Sequence, residues 1–129
     1  MKILIIEDDF VSAKLLEIIL SQFGKCDVAE NGIIAVEKIN KSFAEESLYD
    51  LICLDIMLPE LDGHDVLKHL REIEVEHNST KPIKVIMITA LGDSENIKKS
   101  FNYKADAYLV KPIFRDKLLE IIRMFELIE

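Results

Sequence analysis

Apolar residues along the chain form two kinds of segment, short unbroken runs and longer runs with helical spacing. The short runs predict five strands, at residues 3–6, 26–29, 51–54, 83–89 and 107–110. These runs are almost wholly apolar rather than alternating, which is typical of parallel strands whose two faces are both covered.

The longer segments follow the strands and predict five helices, at residues 10–23, 32–39, 63–74, 94–103 and 114–127. Gly24 is expected to end the first helix, because glycine takes the left-handed C-terminal conformation without steric cost. Five strand–helix repeats in this order predict an α/β protein with a doubly wound parallel sheet and helices on both of its faces.

Charge and composition narrow the classes of partner. The chain has 129 residues and a net charge of −8, which suits one domain and argues against nucleic acid, because phosphates attract a basic face. No apolar run approaches the ~20 residues that a membrane span needs, and the short run before Glu7 is too brief for a signal peptide. Cys26 and Cys53 lie in predicted strands and form no CxxC motif, so we expect buried, reduced thiols and a cytoplasmic protein.

Polar groups stand at the ends of four predicted strands. In open α/β sheets the ligand site lies beyond the carboxyl ends of the strands. Each group alone has an ordinary explanation, such as the start of a helix or a turn. The groups are Glu7, Asp8 and Asp9 after the first strand, Asp55 after the third, Thr89 at the end of the fourth, and Lys111 after the fifth.

Taken together, these groups indicate a metal and phosphate site. Carboxylates of Glu7, Asp8 and Asp55 would repel one another at the mouth of a sheet unless a cation lay among them. Ligation by oxygen alone suits Mg²⁺ or Mn²⁺, and such an ion can neutralise charge during phosphoryl transfer. Lys111 would then pair with phosphate oxygens, and the Thr89 hydroxyl would donate a hydrogen bond to the same group.

Five motifs in the chain resemble those of a known family and occur in the family's order. They are similar to the response-regulator receiver domain of two-component signalling, over essentially the whole chain. With this resemblance we predict the flavodoxin-like strand order 2-1-3-4-5. The motifs are Leu4-Ile5-Ile6-Glu7-Asp8-Asp9, Leu54-Asp55-Ile56-Met57-Leu58-Pro59, Leu61-Asp62-Gly63, Ile88-Thr89-Ala90 and Ala105-Asp106-Ala107-Tyr108-Leu109-Val110-Lys111-Pro112.

The resemblance implies a role for each residue of the metal site. Asp55 matches the family's phosphoacceptor, and Asp8 matches its direct metal ligand. Glu7 matches the acidic neighbour that holds the metal through water. Met57 occupies the position whose backbone carbonyl completes the metal site, so its side chain need not be polar.

The resemblance also implies a switch. Thr89 and Lys111 match the phosphoryl-sensing hydroxyl and the phosphate-pairing lysine. Tyr108 matches the aromatic residue that swings inward when the threonine moves, and the bond before Pro112 is usually cis in the family. Lys104 departs from the family, which often has glycine there; if that backbone needs a positive φ, Lys104 carries a strain of roughly 1 kcal/mol.

The function that follows is a phosphorylation switch. We expect a single domain over residues 1–129 with no output domain. It would take a phosphoryl group from a histidine kinase or phosphotransfer protein and signal by docking to a downstream protein, as a monomer or weak dimer. It would be a regulator that assists its own phosphotransfer and dephosphorylation, without nucleic-acid or membrane partners. The phosphoryl group should be slow to hydrolyse, because Met57 and Leu91 flank the path of the attacking water and neither orients it strongly.

Three other functions fit the sequence less well. A binding module that kept the fold without chemistry predicts loss of Asp55, Asp8 or Lys111, and all three are present. An aspartyl phosphatase of the haloacid dehalogenase kind needs an aspartate two residues after its nucleophile, where this chain has Met57. A nucleotide-binding protein would have a glycine-rich loop after the first strand, and none is there.

The three histidines, His64, His69 and His77, show no ligand spacing with the acidic residues. We predict that all three lie on the surface.

Overall fold

A computed structural model describes residues 1–90, 98 and 104–129. Strands and helices alternate up to residue 89. Of the predicted helix at residues 94–103 only residue 98 is described, and it is helical. The elements are β1 (Lys2–Ile6), α1 (Phe10–Leu20), β2 (Lys25–Ala29), α2 (Gly32–Ala44), β3 (Leu51–Asp55), α3 (Gly63–Glu76), β4 (Lys84–Thr89), β5 (Ala107–Val110) and α4 (Arg115–Met124). Within these residues, no helix is long and apolar enough to cross a membrane.

The five strands form one parallel sheet in the order β2-β1-β3-β4-β5, as predicted. β1 lies between the strands that carry the two cysteines, because Ile3 pairs with Cys26 and Ile5 pairs with Cys53. Both thiols are free. The order places β1, β3 and β4 side by side, so the groups at their carboxyl ends meet at one edge of the sheet.

Two layers of apolar side chains cover the two faces of the sheet, since successive residues of a strand point to opposite faces. On β3, Ile52 and Leu54 pack in the layer shared with α2 and α3. Leu51 and Cys53 pack in the layer shared with α1 and α4. Every residue of β3 is buried, which explains why its sequence is apolar until Asp55.

Side chains cap the first turns of three helices. Asp9 Oδ2 accepts a hydrogen bond from the Ser12 backbone amide at α1, and Asn31 Oδ1 accepts one from the Ile34 amide at α2. Asp62 Oδ1 accepts bonds from the His64 and Asp65 amides in the first turn of α3. These bonds satisfy amides that have no partner within their own helix.

Gly24 does not have the predicted role. α1 ends at Leu20, and the φ angle of Gly24 is not in the left-handed region. A Cβ atom at Gly24 would instead overlap the carbonyl oxygen of Met1. Close packing against the start of β1 therefore requires the glycine.

Candidate functional site

Three carboxylates meet at the carboxyl edge of the sheet. Glu7 and Asp8 follow β1, and Asp55 ends β3. One carboxylate oxygen from each lies within 4.8 Å of the others. Glu7 and Asp55 are buried and Asp8 is exposed, so the cluster opens to solvent on one side. Asp9, the fourth acidic candidate, caps α1, as expected of an acidic residue at the start of a helix.

The start of α3 fixes the backbone around Asp55. The Gly63 amide donates to the Ile56 carbonyl (2.9 Å), and a Cβ atom at Gly63 would overlap the carbonyl oxygen of Asp55. The Met57 amide donates to Asp55 Oδ1 (3.1 Å), while the Met57 side chain is largely exposed. A residue larger than glycine would push α3 away from the strand end that carries the carboxylate.

Lys111 brings positive charge to the cluster. Its Nζ lies 3.1 Å from Asp55 Oδ2 and 3.2 Å from Glu7 Oε2. Its backbone amide donates to the Thr89 carbonyl (2.8 Å), and its bond to Pro112 is cis, as predicted. Burial works to lower the pKa of the Lys111 ammonium, but the two carboxylates outweigh burial and raise that pKa.

Glu7 is the most perturbed group of the cluster. Burial, reinforced by the adjacent carboxyl group of Asp55 and its negative charge, raises the pKa of Glu7 from its ordinary 4.5 to about 7. Glu7 Oε1 accepts a hydrogen bond from the Asp9 amide (3.1 Å). Glu7 Oε2 is buried and lies 3.2 Å from the Lys111 ammonium, but among the described residues it makes no hydrogen bond of acceptable geometry. A buried carboxylate oxygen without a hydrogen bond, beside two further carboxylates, suits a hard cation such as Mg²⁺.

Thr89 lies one strand away from Asp55, and Tyr108 lies two strands away. Thr89 is buried at the end of β4, one residue past Ile88, which pairs with Asp55. Tyr108 pairs with Met87 on the neighbouring strand and is 37% exposed. The structure therefore gathers the predicted site residues at one edge of the sheet, with Tyr108 farthest from the carboxylates along its strand.

One prediction about the histidines is wrong. His64 is only 2% exposed, because it lies in the first turn of α3, three residues before the buried Leu67. This helical spacing was the available signal for its burial. His77 is exposed and His69 partly so. Leu91, predicted to flank the water path, lies outside the described residues.

Sequence reasoning also missed an exposed apolar patch that runs along α1. Phe10 is 79% exposed, Val11 72% and Ile18 63%, and Leu15 lies between them. The signal was a helix that is apolar on more than one face, which is more than a single buried side requires. We call these four residues the α1 patch; it begins two residues after Asp8.

Known proteins resemble this chain in sequence and fold. The family model described as the response regulator receiver domain matches residues 3–123. The chain is 36% identical over 124 residues to the transcriptional regulatory protein CusR of Escherichia coli, covering 95% of this chain and 50% of that protein. It is 33% identical over 121 residues to the chemotaxis protein CheY of Treponema pallidum, covering 94% and 79%. The chain thus spans about half the length of the first curated relatives that it matches.

A solved structure supports the same comparison. The receiver domain of a sensor histidine kinase from Pseudomonas aeruginosa has a magnesium ion coordinated in its active site cleft. It matches this chain with a TM-score of 0.76 and 27% identity, covering 95% of this chain and 94% of that one.

Proposed function

The chain belongs to the response regulator receiver domain family, the phosphorylation-dependent switches of two-component signalling, and from this we propose that Asp55 is its phosphoacceptor. The observation that carries the proposal is the position of Lys111 Nζ, 3.1 Å from Asp55 Oδ2 and 3.2 Å from Glu7 Oε2. An ammonium held there can pair with the oxygens of a phosphoryl group once that group is attached to Asp55.

Mg²⁺, or Mn²⁺ in its place, would be held by Asp8 and Asp55 directly, by Glu7 through water, and by the backbone carbonyl of Met57. When bound, the ion neutralises charge on the phosphoryl oxygens. The donor is a phosphohistidine of a histidine kinase or a phosphotransfer protein. A carboxylate oxygen of Asp55 forms the new bond to phosphorus as the phosphorus–nitrogen bond breaks, and the electron pair of that bond stays on the imidazole. Positioning and charge supply the catalysis, without a general base.

The α1 patch is suited to contact the protein that donates the phosphoryl group. It is apolar and exposed, and it begins immediately beyond the acidic run that follows β1. A protein seated on Phe10 and Val11 would bring its histidine close to Asp55. Charging Val11 should therefore slow transfer from a histidine donor while leaving transfer from acetyl phosphate unchanged.

The remaining parts of the proposal concern the output. Thr89 senses the phosphoryl group, Tyr108 turns inward in response, and the altered surface binds a downstream protein. The domain acts as a monomer or weak dimer, and it assists its own dephosphorylation. The two free thiols favour a reducing compartment, so we propose that it works in the cytoplasm.

Acetyl phosphate with Mg²⁺ tests the proposal. The intact mass should rise by one phosphoryl group in the wild type and should not rise in Asp55→Asn. Phosphoryl labelling that persists in Asp55→Asn would place the acceptor elsewhere. The metal site is tested separately by titrating Mg²⁺: amide signals near the site should shift in the wild type, and Asp8→Ala should abolish the response.

A further inference from the structure

The opposite end of β4 and β5 carries a dense polar cluster centred on Arg71. A guanidinium has five N–H donors, and those of Arg71 make five hydrogen bonds. Nη1 donates to Glu74 Oε1 (2.8 Å) and the Ile83 carbonyl (2.9 Å). Nη2 donates to the Lys104 carbonyl (2.9 Å) and Asp106 Oδ2 (3.0 Å), and Nε donates to the Lys104 carbonyl (3.2 Å). The Arg71 side chain is 15% exposed.

The two carboxylates of this cluster are themselves held by backbone amides at the start of β4 and just before it. Glu74 Oε2 accepts from the Ile83 amide (2.7 Å), and Asp106 Oδ2 accepts from the Val85 amide (2.8 Å). The Asp106 amide donates in turn to the Val85 carbonyl (3.1 Å). Arg71 therefore joins three elements at once: the last turns of α3, the start of β4, and the two residues that lead into β5.

β5 is a short edge strand. It contains four residues and, among the described residues, its strand partner is β4. The chain reaches it through Lys104, whose φ of 64° is left-handed. A slip of β5 by one residue would move each of its side chains by about 3.3 Å and onto the opposite face. Lys111 follows β5 directly, so such a slip would remove its Nζ from Asp55 and Glu7.

From this geometry we infer that Arg71 is a positioning residue for phosphoryl transfer. Through Asp106 and the Lys104 carbonyl it fixes the register of β5, and the register places Lys111 at the carboxylates. Arg71 itself touches no reacting atom, because β4 runs about 13 Å from Val85 to Thr89. The inference rests on the proposed function for its chemical consequence, but the placement of β5 can be measured without any phosphoryl transfer.

Displacement of Lys111 has two opposite consequences for the site. The ammonium competes with a cation for the negative charge of Asp55 and Glu7, so its departure should strengthen Mg²⁺ binding. The same departure removes the partner of the phosphoryl oxygens and should slow phosphorylation. A loss of stability alone would weaken both properties together, so the opposite signs distinguish positioning from a structural role.

The test uses Arg71→Met, which removes the donors and keeps the length of the side chain, with two controls. Glu74→Gln disturbs the same cluster on the α3–β4 side without contacting β5. Tyr49→Phe removes a hydroxyl that donates to Asp27 Oδ2 (2.8 Å) on β2, far from β5. Each protein is measured for unfolding in urea, amide hydrogen exchange, Mg²⁺ affinity and the rate of phosphorylation by acetyl phosphate.

In Arg71→Met we expect exchange of the Lys111 amide to speed up about tenfold or more, Mg²⁺ to bind several-fold tighter and phosphorylation to slow about tenfold. The controls should show neither the tighter Mg²⁺ binding nor the selective loss of protection at Lys111. If exchange at Lys111 in Arg71→Met merely follows global stability, as in Tyr49→Phe, the inference is wrong. If the wild type itself takes no phosphoryl group, the proposed function fails, while hydrogen exchange still decides the role of Arg71.

Discussion

Replacing Glu7 with glutamine removes a buried carboxyl group whose pKa lies far above its ordinary value, and should change how the stability of the metal-free protein depends on pH. Burial, with the neighbouring Asp55, raises the pKa of Glu7 from 4.5 to about 7. Between these two pH values the folded protein holds a proton on Glu7 that the unfolded chain has released. The free energy of unfolding therefore falls as the pH rises through this window, and the stability that the proton confers is complete only below about pH 4.5.

The magnitude follows from the two pKa values. Each pH unit between them contributes about 1.4 kcal/mol, so the window from 4.5 to about 7 corresponds to about 3 kcal/mol. Other carboxylates titrate in the same range, so the informative quantity is the difference between the wild type and Glu7→Gln. Glutamine does not titrate. Between pH 4.5 and pH 8 the free energy of unfolding of the wild type should therefore fall by about 3 kcal/mol relative to that of Glu7→Gln.

The assay is urea unfolding at a series of pH values with a chelator present. Glu120→Gln, at an exposed position of α4, is the control and should leave the pH profile of the wild type unchanged. Saturating Mg²⁺ should restore stability at pH 8, because the ion binds the folded protein once the proton has left. A difference between wild type and Glu7→Gln that stays constant from pH 4.5 to pH 8, or that changes in the opposite direction, would refute the reasoning.

Three further predictions concern single positions. Gly63→Ala should destabilise the protein by about 1–3 kcal/mol in urea unfolding and weaken Mg²⁺ binding, because the new methyl group overlaps the Asp55 carbonyl; unchanged stability would contradict the close packing. Lys104→Gly should raise the free energy of unfolding in urea by about 1 kcal/mol, since the backbone φ of 64° strains a lysine but not a glycine, whereas Lys104→Ala should bring no gain. Met57→Asn/Leu91→Glu should speed loss of the phosphoryl group up to about tenfold by helping to orient water; equal decay rates in the variant and the wild type would end this idea.

The sequence was sufficient for the parts of the fold that depend on local pattern. The apolar runs predicted all five strands, and the strand ends located the carboxylates of Glu7, Asp8 and Asp55 because parallel strands end at the same edge. The left-handed backbone at Lys104 could be anticipated only from the family's glycine. Predictions failed where a residue serves tertiary packing. Gly24 makes room for the Met1 carbonyl, and this contact cannot be predicted from the preference of glycine for helix ends.

The Arg71 cluster shows why the rest could not be read from the chain. Arg71 and Asp106 are 35 residues apart, and nothing in either neighbourhood indicates that they meet. Their contact depends on α3, whose first residue, Gly63, packs on the Asp55 carbonyl while its later turns hold the approach to β5. The helix therefore links the proposed phosphoacceptor to the far end of β5, and Lys111 links it to the near end. We therefore expect phosphorylation of Asp55 to affect β5 through both connections. A substitution that cuts only one of them should weaken the structural change in β5 without abolishing it.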